Sequence, residues 1–416
     1  MVRLLVPTAV ATTSAVLPGF LIGSQAVQLA PDLGIALGTA GAAVAVAWLT
    51  ASALSAVLGR LAERLGGARG LRIGALTSAA AMLWIAVAGR SFALLAVGAA
   101  LGGAGNALAQ PSANVVIARG LPPERHGLGF GVKQAAIPMA TVLGGLAVPA
   151  LTLTLGWRAT FVAGAALAVG AAVALPRRAT APAGGGAASG EASDRGLAGT
   201  GPRADETADG AAVAPPPDPR RRRALVVLGT GVGFGAAAAG ALSSFLVGGA
   251  VDAGMAEGRA GLLLTVGSLI GIAVRLTMGV RADRVGGDQL PLVAGMMLTG
   301  SAAVACFALA AVPVYVLATP VAFGAGWAWP GLFNLSVVRR FPEAPGAATG
   351  ATQTGTYLGA GVGPLVFGLV VDARGFSVAW PLAAVLLALG ATTMAVGRRL
   401  AEVPAGAAPA IDDGRT

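Results

Sequence analysis

The chain has 416 residues, of which 56% are hydrophobic and 11% charged, with a formal net charge of +10. A mean hydropathy of +0.78 excludes a water-soluble domain of this length, so lipid is the solvent for most of the chain. The basic excess sits in loops between apolar runs, where it suits anionic headgroups, and no basic–aromatic interleaving points to nucleic acid.

A helix needs about 20 apolar residues to cross about 30 Å of hydrocarbon. Twelve runs qualify: 4–26, 37–58, 73–90, 92–117, 128–151, 158–175, 224–248, 259–279, 290–311, 313–337, 347–371 and 377–397. They are rich in Ala and Leu and lack the alternation of a membrane barrel. The expected fold class is an all-α membrane protein of twelve transmembrane helices in two pseudo-symmetric six-helix halves. Residues 1–26 read as the first span rather than a signal peptide, because Pro18, Gly19 and Gly23 lie within them and eleven runs follow.

The halves are expected at 1–175 and 224–397, with a polar linker at 176–223 and a short tail at 398–416. The linker is rich in Gly, Ala, Pro and charge, a composition that cannot bury a core. Of 27 arginines, 22 fall in segments on the side of the linker and the termini, four (Arg90, Arg158, Arg259, Arg374) on the other side, and Arg275 within a run. That asymmetry predicts a multi-pass protein of the cytoplasmic membrane with both termini in the cytoplasm.

The halves share a repeat. Asp32 to Gly67 realigns without a gap on Asp252 to Gly287, bringing Gly34, Gly38, Ala40, Gly41, Gly59, Ala62, Arg64 and Gly66 onto Gly254, Gly258, Ala260, Gly261, Gly279, Ala282, Arg284 and Gly286. A second stretch, offset by 219, brings Gly131 onto Gly350, Gln134 onto Gln353 and Gly144 onto Gly363, and Gly105 and Pro111 onto Gly324 and Pro330. Duplication within an apolar chain marks a transporter built from repeats. Glycine clusters at 102–105, 231–235 and 359–363 read as helix-packing seams, since no strand accompanies them as a phosphate loop requires.

GRLAERLGGARGL at 59–71 and GVRADRVGG at 279–287 lie between the second and third and the eighth and ninth runs. Both resemble the cytoplasmic G-x-L-A-D-R-x-G-R motif of the major facilitator superfamily, and the six-plus-six arrangement extends that resemblance over the whole chain. The first copy departs from the pattern at Glu63 and at Gly67-Ala68. The motif suits a conformational latch: Gly59 and Gly279 would allow close helix contact, while Glu63, Arg64, Asp283 and Arg284 would pair in one of two states. Plain solvated loop charge is the other reading.

Two cations break the internal symmetry. Lys133, the one lysine, is matched by Thr352 in the repeat, and Arg275 is matched by Ser55. An intramembrane cation is costly and usually faces a bundle interior or a wet cavity. In the superfamily fold the fifth and eighth helices face each other, so the resemblance implies that Lys133 and Arg275 meet one anion from opposite sides. The stretch from Arg275 to Arg284 resembles the eighth helix of monocarboxylate and oxalate–formate carriers, where the arginine is a carboxylate ligand. Lys133, Gln134, Pro138, Gly144 and Gly145 resemble the fifth helix of the cyanate and nitroimidazole permease-like branch. Snorkelling of both cations to cytoplasmic water is the alternative.

Asn106, Gln110 and Asn114 recur every four residues, on one helix face. With Gln134, Gln353 and Tyr357 they are candidates to line a hydrated path, or to hydrogen-bond between helices. Trp327 and Trp329 are candidates for the same path or for packing. Cys306, the single cysteine, reads as a small core hydrophobe and rules out an intramolecular disulfide.

The expected function is therefore secondary active or facilitative transport of a small organic anion by alternating access. The partners are that small molecule and the bilayer, and the twelve-helix unit is self-contained as a monomer. An efflux antiporter for drugs or metabolites is the nearest alternative, weakened by Ala99 where such carriers have an arginine and by Ala140-Thr141 before Gly144-Gly145. A receptor or scaffold that does not transport is another. An enzyme is not expected, since His126 stands alone with no nucleophile or metal cluster. No cofactor motif is spelled, and the coupling ion is open. None of the eighteen acidic residues lies well inside a run, so any coupled proton would be carried by Lys133 or by the substrate.

Overall fold

The computed structural model describes residues 2–121, 132–175, 219–341 and 345–401. In lipid every backbone polar group must be satisfied within the protein, and helices stand at all twelve expected runs. The first half comprises α1 (Val2–Ser24), α2 (Ala26–Leu33), α3 (Thr39–Leu65), α4 (Gly67–Ala88), α5 (Phe92–Gly120), α6 (Val132–Leu155) and α7 (Trp157–Ala174). The second comprises α8 (Pro219–Asp252), α9 (Glu257–Val285), α10 (Leu290–Cys306), α11 (Val312–Gly324), α12 (Pro330–Arg340), α13 (Pro345–Arg374) and α14 (Phe376–Ala401). Among the described residues ten helices are long and apolar enough to cross a membrane, or eleven counting α3, which bends by 64° between Thr39–Ser55 and Val57–Leu65.

The tenth run is not one helix but two, α11 and α12. Pro330 removes a ladder donor at the start of α12, yet its repeat partner Pro111 lies inside the unbroken α5. Proline alone does not cause the break. The second half also carries Gly326 where the first has Ala107, and glycine costs a helix about 1 kcal/mol relative to alanine. The boundaries of the linker also shift. Pro219 opens α8, where its missing N–H costs nothing, so Arg220 to Arg223 are helical. Arg398 to Ala401 likewise continue α14 rather than beginning the tail. Residues 176–218, 402–416 and His126 lie outside the described residues.

The repeat has a structural cause at its turns, its buried alanines and its helix crossings. Gly34 and Gly254 adopt φ of +63° and +93°. In both copies the glycine N–H bonds the carbonyl three residues back (Pro31, Val251), and the next residue's N–H bonds the carbonyl five back (Ala30, Ala250). This closure needs a left-handed residue, which glycine supplies without strain. Ala40, Ala260, Ala62 and Ala282 are buried.

Gly41 and Gly261 form matching seams between the halves. A Cβ on Gly41 would collide with the Pro364 carbonyl oxygen, and one on Gly261 would stand 2.6 Å from that of Gly145. Position 364 falls on 145 at the repeat offset, so the α3–α13 and α9–α6 crossings are two copies of one contact. Within the second half, Gly229, Gly233 and Ala237 on α8 meet Gly355, Gly359 and Gly363 on α13. That four-residue spacing of small residues lets parallel helices pack backbone to backbone, as the clusters at 231–235 and 359–363 suggested.

The Gly41 and Gly261 seams lie toward the end of the bundle opposite the linker. There Gln28 Nε2 also donates to Glu257 Oε2 at 2.7 Å, and Asp372 accepts from Gly38 N at 2.6 Å, both between halves. At the linker end Asp288 is held within the second half by Arg340 at 3.0 Å and Arg398 at 2.8 Å. Cys306 is exposed on the outside of α10 rather than packed in the core. It sits on the helix face turned away from the other helices, where a small apolar side chain needs no partner.

Candidate functional site

Arg275 lies midway along α9 and is partly buried. One guanidinium nitrogen, Nη2, donates to the Trp327 carbonyl at 2.8 Å, and Nη1 reaches the Gln134 carbonyl on α6 at 3.4 Å. The first acceptor is free because it lies in the break between α11 and α12. The second belongs to the other half, so Arg275 touches both halves. Its Nε is buried and has no hydrogen-bond partner among the described residues. An orphaned buried donor on a cation costs about 1–3 kcal/mol or more, and an acceptor entering the site would recover it.

Lys133 precedes Gln134 in α6 and is half-buried. Its ammonium makes no hydrogen bond or ion pair among the described residues. The fold thus brings α6 and α9 together, through Gly145–Gly261 and a 3.4 Å bond from Thr265 Oγ1 to the Val142 carbonyl. Arg275 comes to the residue beside Lys133. Two cations share this region, and among the described residues no carboxylate is paired with either.

The other predicted residues divide. Asn106 is buried and accepts from Gln110 Nε2 at 3.1 Å. It also lines a cavity of about 10 Å³ between α1, α3 and α5, which is room for about one water. Asn114, on the same face, is exposed, so the polar stripe is two residues long rather than three. Gln353 and Tyr357 pair with each other on α13 and are half-buried. Trp329 is buried and its indole N–H donates to the Gly326 carbonyl at 2.9 Å, with Phe333 edge-on. It is a packing residue. The contribution of Trp327 to the site is its carbonyl.

The expected close contact at Gly59 and Gly279 is absent in this conformation. A Cβ on either would meet no atom within 4 Å. Glu63, Arg64 and Arg284 are exposed, and the side chain of Asp283 lies outside the described residues. The halves are joined at the opposite end, and no described atom packs against Gly59 or Gly279.

A buried polar network escaped the sequence reading. Gln25 Nε2 donates to Ser24 Oγ and to the Gly144 carbonyl, both at 3.2 Å, while the Thr152 hydroxyl donates to Gln25 Oε1 and contacts Thr160 at 3.1 Å. Thr152 ends a π-helical turn, Val148–Thr152, opened by Pro149, which lacks the N–H that an α-turn would use. On the surface at the same end, Arg158 Nη1 donates to Asp32 Oδ2 at 2.5 Å, and Trp157 Nε1 donates to the same oxygen at 3.1 Å. The hydrogen bond from Arg158 holds the Asp32 carboxyl below the usual carboxylate range, against an opposing push from burial.

Residues 7–205 match the family model of the Major Facilitator Superfamily. No curated protein matches the sequence. Among solved structures, a bacterial homologue of the human lysosomal transporter Spinster, in an inward-facing and occupied conformation, superposes with a TM-score of 0.66 at 15% identity, covering 94% of this chain and 96% of that one. The peptide transporter POT, in complex with alafosfalin, gives a TM-score of 0.68 at 17% identity, covering 95% and 94%. At these identities the likeness shows the fold. The first half carries the sequence pattern of the Major Facilitator Superfamily, and the chain has the fold of these solved transporters over nearly its whole length.

Proposed function

We propose that this chain is a transporter that moves a small organic anion by alternating access, with Arg275 and Lys133 as its ligands. The observation that carries the reading is the state of Arg275. It sits between the halves with an unsatisfied buried N–H, next to the residue that follows an unpaired lysine. Desolvated cations repel each other and lack counter-charge, and a carboxylate supplies both the charge and the acceptors. Asn106, Gln110, Gln134, Gln353 and Tyr357 would line the path. The arginine bias supports a cytoplasmic membrane with the linker end facing the cytoplasm. In that orientation the outer ends are joined and Gly59 and Gly279 toward the inner ends are unpacked, which supports an inward-facing state. The self-contained bundle supports a monomer, and no coupling ion is assigned.

Glu63, Arg64, Asp283 and Arg284 would pair, and Gly59 and Gly279 would close, in the opposite state. The test is a thermal-shift titration of purified protein with formate, acetate, lactate and oxalate, followed by uptake of the stabilising anion into proteoliposomes. Stabilisation that disappears in Lys133→Ala and Arg275→Ala supports the reading. Stabilisation by organic cations instead, or by anions independently of both residues, overturns it.

A further inference from the structure

Asp372 stands in the last turn of α13. A carboxylate at a helix C-terminus faces partial negative charge from its own helix and is the wrong sign for that position. Its acceptors are used elsewhere. Oδ1 takes the backbone N–H of Gly38 at 2.6 Å, and Oδ2 takes the Thr39 hydroxyl at 3.1 Å. Gly38 is the N-cap residue of α3 and has no side chain with which to cap it. A carboxylate from the second half therefore caps a helix of the first, where the dipole favours negative charge.

The approach is fixed by a second glycine. A Cβ on Gly38 would collide with the Gly368 carbonyl oxygen, and one on Gly368 with that of Gly38. Only this close crossing lets a side chain as short as aspartate reach the α3 terminus. The repeat gives an internal comparison. Gly258 corresponds to Gly38 and Leu153 to Asp372, and a Cβ on Gly258 would meet Leu153 at 3.3 Å. The same contact is built twice, apolar on one side and charged on the other.

We propose that Asp372 is a positioning residue of the transport cycle. Its cap on α3 holds the outer ends together and must break each time the carrier opens outward, so it sets the balance between the two states. This rests on the alternating-access reading above. Asp372 is exposed, so water and salt compete for it. The effect is a bias on the equilibrium and not an absolute lock.

The test uses the full chain in lipid nanodiscs, with Cys306→Ser and nitroxide labels on Ala36→Cys and Ser377→Cys, exposed positions beside α3 and α13. The readout is the distance distribution between the labels. In Asp372→Asn the population with separated outer ends should rise about fivefold relative to the joined one. Asp372→Glu should restore most of the joined state. Asp32→Asn, which removes a carboxylate paired within the first half, should leave the distribution unchanged. Unchanged populations in Asp372→Asn, or equal shifts in the asparagine and glutamate variants, would overturn the role of the carboxylate. If no second distance appears in any variant, alternating access itself fails along with it.

Discussion

The guanidinium of Arg275 donates to the carbonyl of Trp327 across 2.8 Å, in the gap that separates α11 from α12. A helix break and an intramembrane cation thus satisfy each other, and the same arginine extends to Gln134 in the other half. Lysine carries the same charge but lacks the planar fork that addresses two acceptors at once. Arg275→Lys is therefore expected to insert and fold, and to lose roughly tenfold or more in anion uptake. Initial rates in proteoliposomes, normalised to inserted protein, check this. Wild-type rates would show that charge alone is sufficient.

The two repeated seams predict a symmetric response to bulk. Gly261 faces the Gly145 carbonyl at a distance no real Cβ tolerates, and Gly41 faces Pro364 in the same way. Gly261→Val and Gly41→Val should each destabilise the state with joined outer ends by about 1–3 kcal/mol. The measurable outcome is faster alkylation of a cysteine introduced beside the seam, from the side opposite the linker. Gly170→Val, at a position with nothing within 4 Å, is the matched control and should leave the rate unaltered.

Much of the machine was legible in the sequence because its physics is periodic or duplicated. Apolar runs of spanning length had no alternative in lipid, and Gly34, Gly41, Gly254 and Gly261 repeat because two turns and two crossings repeat. The departures came from singular features. The tenth run breaks before Pro330, where Gly326 stands in place of Ala107, while the matching proline in α5 breaks nothing. The Gln25 network joins residues as far apart as Gln25 and Thr160, and its members are common polar types with no spacing rule. Asp372 offered a local clue, a carboxylate in a helix's last turn, but its partner is an N-terminus 334 positions away. Lys133 and Arg275 stood out as charges in apolar runs, and the fold brings their helices together.

Asp32 should make its contribution above the carboxylate range. The hydrogen bond from Arg158 holds its folded pKa below the ordinary aspartate range. A depressed carboxylate stabilises the fold at pH values above its unfolded pKa, and that contribution is lost as pH falls through the folded value. Both side chains are well exposed, so solvent screens the pair and the effect is small. The melting temperature of Asp32→Asn should fall slightly below wild type at pH 7, and the difference should close as pH is lowered below about 4. A difference that persists unchanged at low pH would point to the Trp157 contact or to packing rather than to the ion pair.

Gly59 and Gly279 separate stability from turnover more sharply than any other positions in the repeat. Both are glycines in apolar helices, where alanine would serve the helix better, and neither has a neighbour that a side chain would strike in this conformation. Their identity is therefore not explained by the state in which the outer ends are joined. It is explained if the linker ends of the halves come together when the outer ends part. Gly59→Leu and Gly279→Leu are then expected to keep or slightly raise the melting temperature while slowing transport about tenfold, because a bulky side chain obstructs only the opposite state. Melting and uptake measured on the same preparations test the pair of effects. A loss of stability would mean that the glycines pack in this state, and unchanged uptake would remove them from the switch.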